Sequence, residues 1–395
     1  MSCKSGATVL SGFALLAVLA VAAPAAAQNP NGTVYVQCPG DADGNSIPDS
    51  PNASIKCLHL AAGDGFVTMA DGSPMYIFGF SDVTGTDPAQ VLNVGNLSAN
   101  FPAPTIRLKE GQEFYLNLTN VGMVMRPDLF DPHSVHFHGF PQAAPVFDGV
   151  PESSAVVNMG STFTYYYKIV DPGTYMYHCH VEATEHMQMG MLGNLYVEPR
   201  QNGTLIGGYT TFAYNDGDGS TGYDVEYPIQ LGSFDPNFHD QHINVQPLPF
   251  AAMDDKYALL NGRGYPDTIN TAVMSTDTDA GPKPSQPVHS LVVATQGQRV
   301  LLRLSNLSVT RLYTIQSMIP MRVVGKDAKL HRGPDGKSLY YTTNSVTIGG
   351  GESFDVILDT AAVAPGTYLL YTTNLNYLSN NGEDLGGMMT EIRIQ

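Results

Sequence analysis

Six of the eleven histidines lie between His133 and His186, in two clusters. The first reads Asp131-Pro132-His133-Ser134-Val135-His136-Phe137-His138-Gly139, and the second reads Tyr177-His178-Cys179-His180, followed by His186 and Met191. Along an extended chain, side chains alternate between faces. His136 and His138 therefore point one way, as do His178 and His180, while Cys179 points to the opposite side. Two H-x-H pairs thus offer four imidazoles to one side. Cys179, turned away, can join His133, His186 and Met191 in a set of one thiolate, two imidazoles and a weak thioether, the donor chemistry of a blue copper site. Each piece alone has a plainer reading: an H-x-H as a zinc half-site, a Cys with a His as a zinc pair, and Met187, Met189 and Met191 as core filler. Met189 also competes with Met191 for the axial position. Together the pieces point to copper, with Cys179 as the covalent link between two adjoining sites.

Such pairs need strands to hold them. Short runs such as Glu113–Leu118, Phe163–Ile169 and Val300–Leu304 are bounded by Gly, Pro, Asn and Asp, and no long window carries a helical period, so the chain reads as all-β. It also repeats itself. Gly111–Asn120 (GQEFYLNLTN) answers Gly297–Asn306 (GQRVLLRLSN), and Pro172–Tyr175 answers Pro365–Tyr368 (both PGTY). Two copies of one β-sandwich account for this, the first over residues 67–200 and the second over 224–395. Residues 201–223, rich in Gly, Asn, Asp and Thr, read as a linker, and 28–66 as an N-terminal extension.

The chain has 395 residues, enough for two or three domains with real cores. Hydrophobic residues make up 43% and charged residues 14%, with 40 Gly and 27 Pro, which excludes a disordered chain and a many-span membrane protein. A net charge of -17 without a basic stripe argues against nucleic acid as a partner. Residues 1–27 read as an export signal: Lys4, an apolar run from Phe13 to Ala23, then Ala25-Ala26-Ala27 before Gln28. The mature protein is therefore expected in the periplasm or secreted, without a membrane anchor, where disulfides form. Cys3 leaves with the signal. Cys38 and Cys57 close a short polar loop and are expected to pair, leaving Cys179 for the metal.

The motifs H-x-x-H-x-H-G at His133–Gly139 and H-C-H at His178–His180, followed by His186 and Met191, resemble those of the multicopper oxidases, laccase-like enzymes of the cupredoxin fold. Tyr257–Thr268 and Phe234–Phe250 are similar to the metal-free middle sandwich of three-domain laccase-like enzymes. The resemblance covers about 67–395 and implies two tandem cupredoxin-like Greek-key sandwiches. It assigns His133, Cys179, His186 and Met191 to a type 1 copper, His136 to a type 2 copper, and His138, His178 and His180 to a type 3 pair. It also gives Asp148 the role of a proton-relaying acid, the alternative being a turn residue before Gly149. The reaction implied passes single electrons from a reducing substrate, phenol-like or a metal ion, or from a protein donor, through the type 1 site to a three-copper centre that reduces dioxygen to water.

The chain departs from that pattern in two places. Five residues separate His180 from His186 where three are commoner, which lengthens the loop carrying Glu182 and Glu185. The second sandwich has Leu370-Tyr371-Thr372-Thr373 where the first has Tyr177–His180, so one chain supplies four of the eight histidines a three-copper centre uses. The remaining histidines, His59, His239, His242, His289 and His331, are not spaced to supply the rest. The expectation is a homo-oligomer in which two first sandwiches face each other and share one three-copper centre, the alternative being a heteromeric partner. Two other functions compete: a type 1 electron-transfer or copper-holding protein, and a copper nitrite reductase, against which His136 stands where a catalytic aspartate is wanted.

A smaller candidate lies outside the sandwiches. Asp41, Asp43, Asn45 and Asp49 place oxygen side chains at alternate positions near Gly44, as calcium loops do. The segment resembles the short calcium loops of thrombospondin-type repeats. An Asx-rich turn clamped by Cys38 and Cys57 is the other reading.

Overall fold

In the computed structural model, residues 36–395 are described, apart from Pro141, Gln142 and Ala280. The export signal expected over 1–27 lies outside the described residues. The first copy is two four-stranded sheets face to face. One runs in the order β2 (Pro74–Asp82), β1 (Ile55–Thr68), β4 (Glu113–Gly122), β6 (Thr162–Lys168). The other runs β3 (Ala103–Lys109), β8 (Leu192–Glu198), β7 (Gly173–His178), β5 (His136–His138). Alternation explains the layering: Phe114, Leu116 and Leu118 of β4 are fully buried, while Glu113, Tyr115 and Asn117 are not. Tyr165, Tyr175, Tyr177, Leu195 and Val197 meet them from the remaining strands.

The internal repeat is a structural repeat. β4 pairs parallel with β1 and antiparallel with β6, and its counterpart Arg299–Asn306 pairs parallel with Val225–Phe234 and antiparallel with Ser353–Asp359. β7 pairs antiparallel with β8, as Gly366–Thr372 does with Met389–Ile394. The second copy differs: apart from Met274–Thr278 and Gly281–Gln286, which pair with each other, twelve of its strands join into one sheet. The long strand Tyr313–Lys326 causes this: one end pairs with Gly366–Thr372 and the other with Ser353–Asp359, across a register shift between Gln316 and Met321.

Two boundaries differ from those read in the sequence. The first sandwich begins before residue 67, because β1 starts at Ile55 and is a central strand. Residues 201–223 are packed, since Ala213, Tyr214 and Tyr223 are buried against Leu301, Val324 and Ile357. Cys38 and Cys57 are bridged, with Cα atoms 5.9 Å apart, tying the N-terminal loop to β1.

The two copies meet through a shared apolar layer that includes Ile77, Phe101, Met176, Phe234 and Leu259. Beside it runs a buried polar bridge. Arg303, 1% exposed, pairs with Glu226 at 2.8 Å and donates to Thr174 Oγ1 of β7 at 3.1 Å, while Thr174 donates to Asp355 at 2.6 Å. A helix at Pro236–Ile243, capped by the Asp235 carboxylate, leaves the second copy and buries Phe238 in the first copy's core. Among the described residues, no helix is long and apolar enough to cross a membrane.

Candidate functional site

β5 and β7 are neighbours in register, with His136 opposite His178. Their ring centroids lie 5.3 Å apart. His180, just past the end of β7, brings its ring to 5.7 Å from His178 and 5.1 Å from His136, and His138 stands 6.1 Å from His136. The four imidazoles therefore form one face, as strand alternation predicts. Two of them have their tautomer set. Nδ1 of His136 donates to the Asp148 carbonyl at 2.6 Å and Nδ1 of His178 to the Cys179 carbonyl at 2.8 Å, which leaves each Nε2 free as an electron-pair donor. Burial pushes His178 down to about 3, and burial with the neighbouring His136 lowers His138, so both stay neutral. Asp148 lies beside this face, its carboxylate 3.7 Å from His136 Nδ1.

Cys179 takes the opposite direction. Its Sγ stands 3.2 Å from His186 Nδ1 and 3.9 Å from His133 Nδ1, and all three residues have no exposed surface. Donors bound at roughly 2.0–2.3 Å to one metal stand about that far apart. The other ring nitrogens, Nε2 of His133 and of His186, have no hydrogen-bond partner among the described residues. Burial holds both imidazoles well below their usual value, His186 at about 4, and pushes the Cys179 thiol up to about 11. Two neutral imidazoles beside a buried thiol could hold a soft metal ion such as copper, the thiol giving up its proton on binding.

Local structure carries these donors. His133 is held by a two-residue bridge to Val157, with both backbone N–H groups paired. Ser134 donates its N–H to Cys179 Sγ at 3.5 Å and its Oγ accepts from His180 N–H. The long loop after His180 folds into a short helix, Ala183–Gln188, which carries His186. Met191 follows it, fully buried, with its carbonyl accepting from Cys179 N–H at 3.1 Å. Met189 is equally buried, and its carbonyl is spent on Phe78 of β2.

A cleft of about 490 Å³ opens on the four-histidine face. Its far wall is Leu307–Leu312, Gly350 and Gly351 of the second copy, and no histidine stands there. His239 and His242 do not serve it. The ring nitrogens of His239 face the carbonyls of Tyr76 and Gln188, and His242 contacts Glu185 and Arg126. His59 bonds Thr119 at 2.7 Å. Asp131 was not singled out in the sequence, yet its carboxylate lies 4.0 Å from His186 Nε2. Only its place two residues before His133 hinted at this.

The Asp41–Asp49 loop is internally satisfied. Asp41 accepts from the N–H groups of Asn45 and Ser46, Asp43 from Asn45, and Asp49 from Ala42. This is the Asx-turn arrangement, with its carboxylates engaged by backbone.

Residues 84–202 match a family model described as multicopper oxidase. The chain is 26% identical over 282 residues to an L-ascorbate oxidase from Cucurbita maxima, covering 68% of this chain and 42% of that protein. A second L-ascorbate oxidase, from Cucurbita pepo var. melopepo, is 26% identical over 310 residues, covering 73% and 50%. The chain thus spans about half the length of the curated relatives it matches. Among solved structures, a blue copper oxidase from Nitrosomonas europaea superposes with a TM-score of 0.62 at 22% identity, over 85% of both chains. A copper nitrite reductase from the same organism gives 0.56 at 17% identity, over 85% of this chain and 93% of that one. Those two likenesses are of fold. The matched segment 84–202 contains every candidate donor from His133 to Met191.

Proposed function

We propose that the chain is a copper-dependent oxidase that takes single electrons from a reducing substrate and uses dioxygen as acceptor. One observation carries the reading. Cys179 has its sulfur among His133 and His186, while the residues on either side of it, His178 and His180, turn their rings into the four-histidine face. In this reading His133, Cys179, His186 and Met191 hold a type 1 copper, His136 a type 2 copper, and His138, His178 and His180 a type 3 pair. Copper bound there supplies one-electron acceptance and the reduction of dioxygen to water. The protein's own part is to keep the rings neutral by burial, to present Nε2 of His136 and His178 by fixing Nδ1, and to exclude water from the thiolate. Asp148, beside His136, is the group placed to hand on protons.

The copper-binding sandwich is the first, and the second carries no copper ligands. The other half of the three-copper centre then comes from another chain, in a homo-oligomer whose first sandwiches pair about a twofold axis. The exported, periplasmic or secreted location follows from the signal-like segment and is supported by the Cys38–Cys57 bridge. A type 1 electron-transfer or copper-holding protein is the second reading, favoured by the histidine-free wall across the cleft.

Copper content, sedimentation and oxygen consumption, measured on one phenolic and one metal-ion donor, test the proposal. An oxidase carries on average more than about two coppers per chain and consumes oxygen. About one copper per chain without oxygen uptake identifies the carrier, and a fully active monomer excludes the shared centre.

A further inference from the structure

The stretch Asn374–Asn381 reads NLNYLSNN, half of it Asn, and lines a second cleft, of about 390 Å³, on the second sandwich. Clefts of about 300–1,000 Å³ hold small organic ligands. We propose that this one binds a neutral saccharide. The inference does not depend on copper, and it gives the second sandwich a binding role of its own.

Charge decides the ligand class. Two acids and two bases line the cleft, and they are already paired or bonded. Asp254 accepts from Arg311 at 2.9 Å and from Lys256 at 2.5 Å. Asp255 is buried and accepts from Ser233 and Thr310, each at 2.5 Å, and from Gln188 at 3.0 Å. A charged ligand of either sign would have to compete with these contacts. The uncommitted groups are neutral amides. Asn374 Oδ1 accepts from Asn376 N–H at 3.1 Å, which leaves its Nδ2, and Asn381 Nδ2 donates to the Tyr257 hydroxyl at 3.3 Å, which leaves its Oδ1. The side-chain amide of Asn376 has no partner among the described residues. An amide offers a donor and an acceptor side by side, and so matches a hydroxyl, which is both at once. A sugar ring presents several hydroxyls at close spacing. It also carries C–H groups, for which the Tyr377 ring supplies an apolar body in the same cleft. That ring packs edge-on against Tyr313 at 5.1 Å, which fixes its orientation.

The amides are held before any ligand arrives. Asn374 caps the single turn Leu375–Leu378, and the Ser379 hydroxyl donates to the Asn376 carbonyl at 2.6 Å. Asn381 N–H donates to the Lys256 carbonyl at 3.0 Å, tying the end of the stretch to the residue before the strand Tyr257–Leu260. Binding therefore orders little that is not already ordered.

The test titrates the full chain by calorimetry with glucose, N-acetylglucosamine and maltotriose, with glycerol, acetate and choline as controls. At least one saccharide should bind at about one per chain with a Kd of about 5 mM or tighter. Asn376→Ala and Asn374→Asp are compared with wild type. Asn376 is exposed, so its variant keeps the fold, and Asn374→Asp retains the capping oxygen. Each should weaken saccharide binding at least about fivefold, the effect of one lost hydrogen bond. No saturable binding of any saccharide up to about 50 mM overturns the proposal. So does equal binding in both variants, glycerol bound as tightly as the best saccharide, or acetate or choline bound more tightly than it.

Discussion

Gly351 of the second sandwich lies so close to His138 of the first that a Cβ built on it would stand 2.8 Å from the imidazole Cε1 and 3.0 Å from Nε2. Its φ of +87° is also one that favours glycine. The second sandwich thus sets one edge of the four-histidine face. Gly351→Ala should lower stability by about 1–2 kcal/mol and displace His138. Copper analysis and thermal melting would show metal lost from that face with the visible band unchanged. A variant with full copper content would show that this contact is incidental.

Cys179 carries the second prediction. Cys179→Ser removes the sulfur that reaches both His133 and His186, so the intense visible band should vanish while the fold persists. Absorption and circular dichroism together check this. A serine variant that stays blue would sink the type 1 assignment.

The Cys38–Cys57 bridge closes a loop with a sequence separation of 19. Replacing both cysteines with Ser should cost roughly 3 kcal/mol, mostly through the unfolded chain's regained freedom. Chemical denaturation of the double variant measures the loss. Two free thiols found by mass spectrometry of the wild type would contradict the bridge.

Glu226 supplies a pH dependence. Burial alone would raise its pKa, but Arg303 and Arg107 outweigh burial and bring it to about 2. The unfolded chain therefore binds this proton first. The stabilisation is complete above about pH 4.5 and drains away as the pH falls toward 2. It amounts to about 3 kcal/mol at neutral pH. Glu226→Gln should lose that much at pH 7 and flatten the acid limb of a stability-against-pH curve. An unchanged limb would show that Arg303 holds the sandwiches together through Thr174 and Asp355 alone.

The placement of the candidate donors was legible in the sequence because it depends on local geometry. Alternation along two short strands puts four imidazoles on one side and Cys179 on the other, and no distant contact is needed to see it. The duplication was legible for a similar reason, since both copies repeat their turn and strand residues at Gly111–Asn120 and Gly297–Asn306. The Cys38–Cys57 pairing followed from counting. Tertiary structure alone decided what surrounds those donors. That Asp131 reaches His186, that His242 from beyond the first sandwich engages Glu185, and that Gly351 lies against His138 are contacts between segments far apart in the chain, the first set by packing within one sandwich and the other two by how the sandwiches meet. The burial of residues 201–223 is likewise a matter of tertiary contact. Composition marked 201–223 as a linker, but whether a Gly-rich stretch is free or packed depends on the apolar surface next to it, and Tyr214 and Tyr223 find theirs on Leu301 and Ile357.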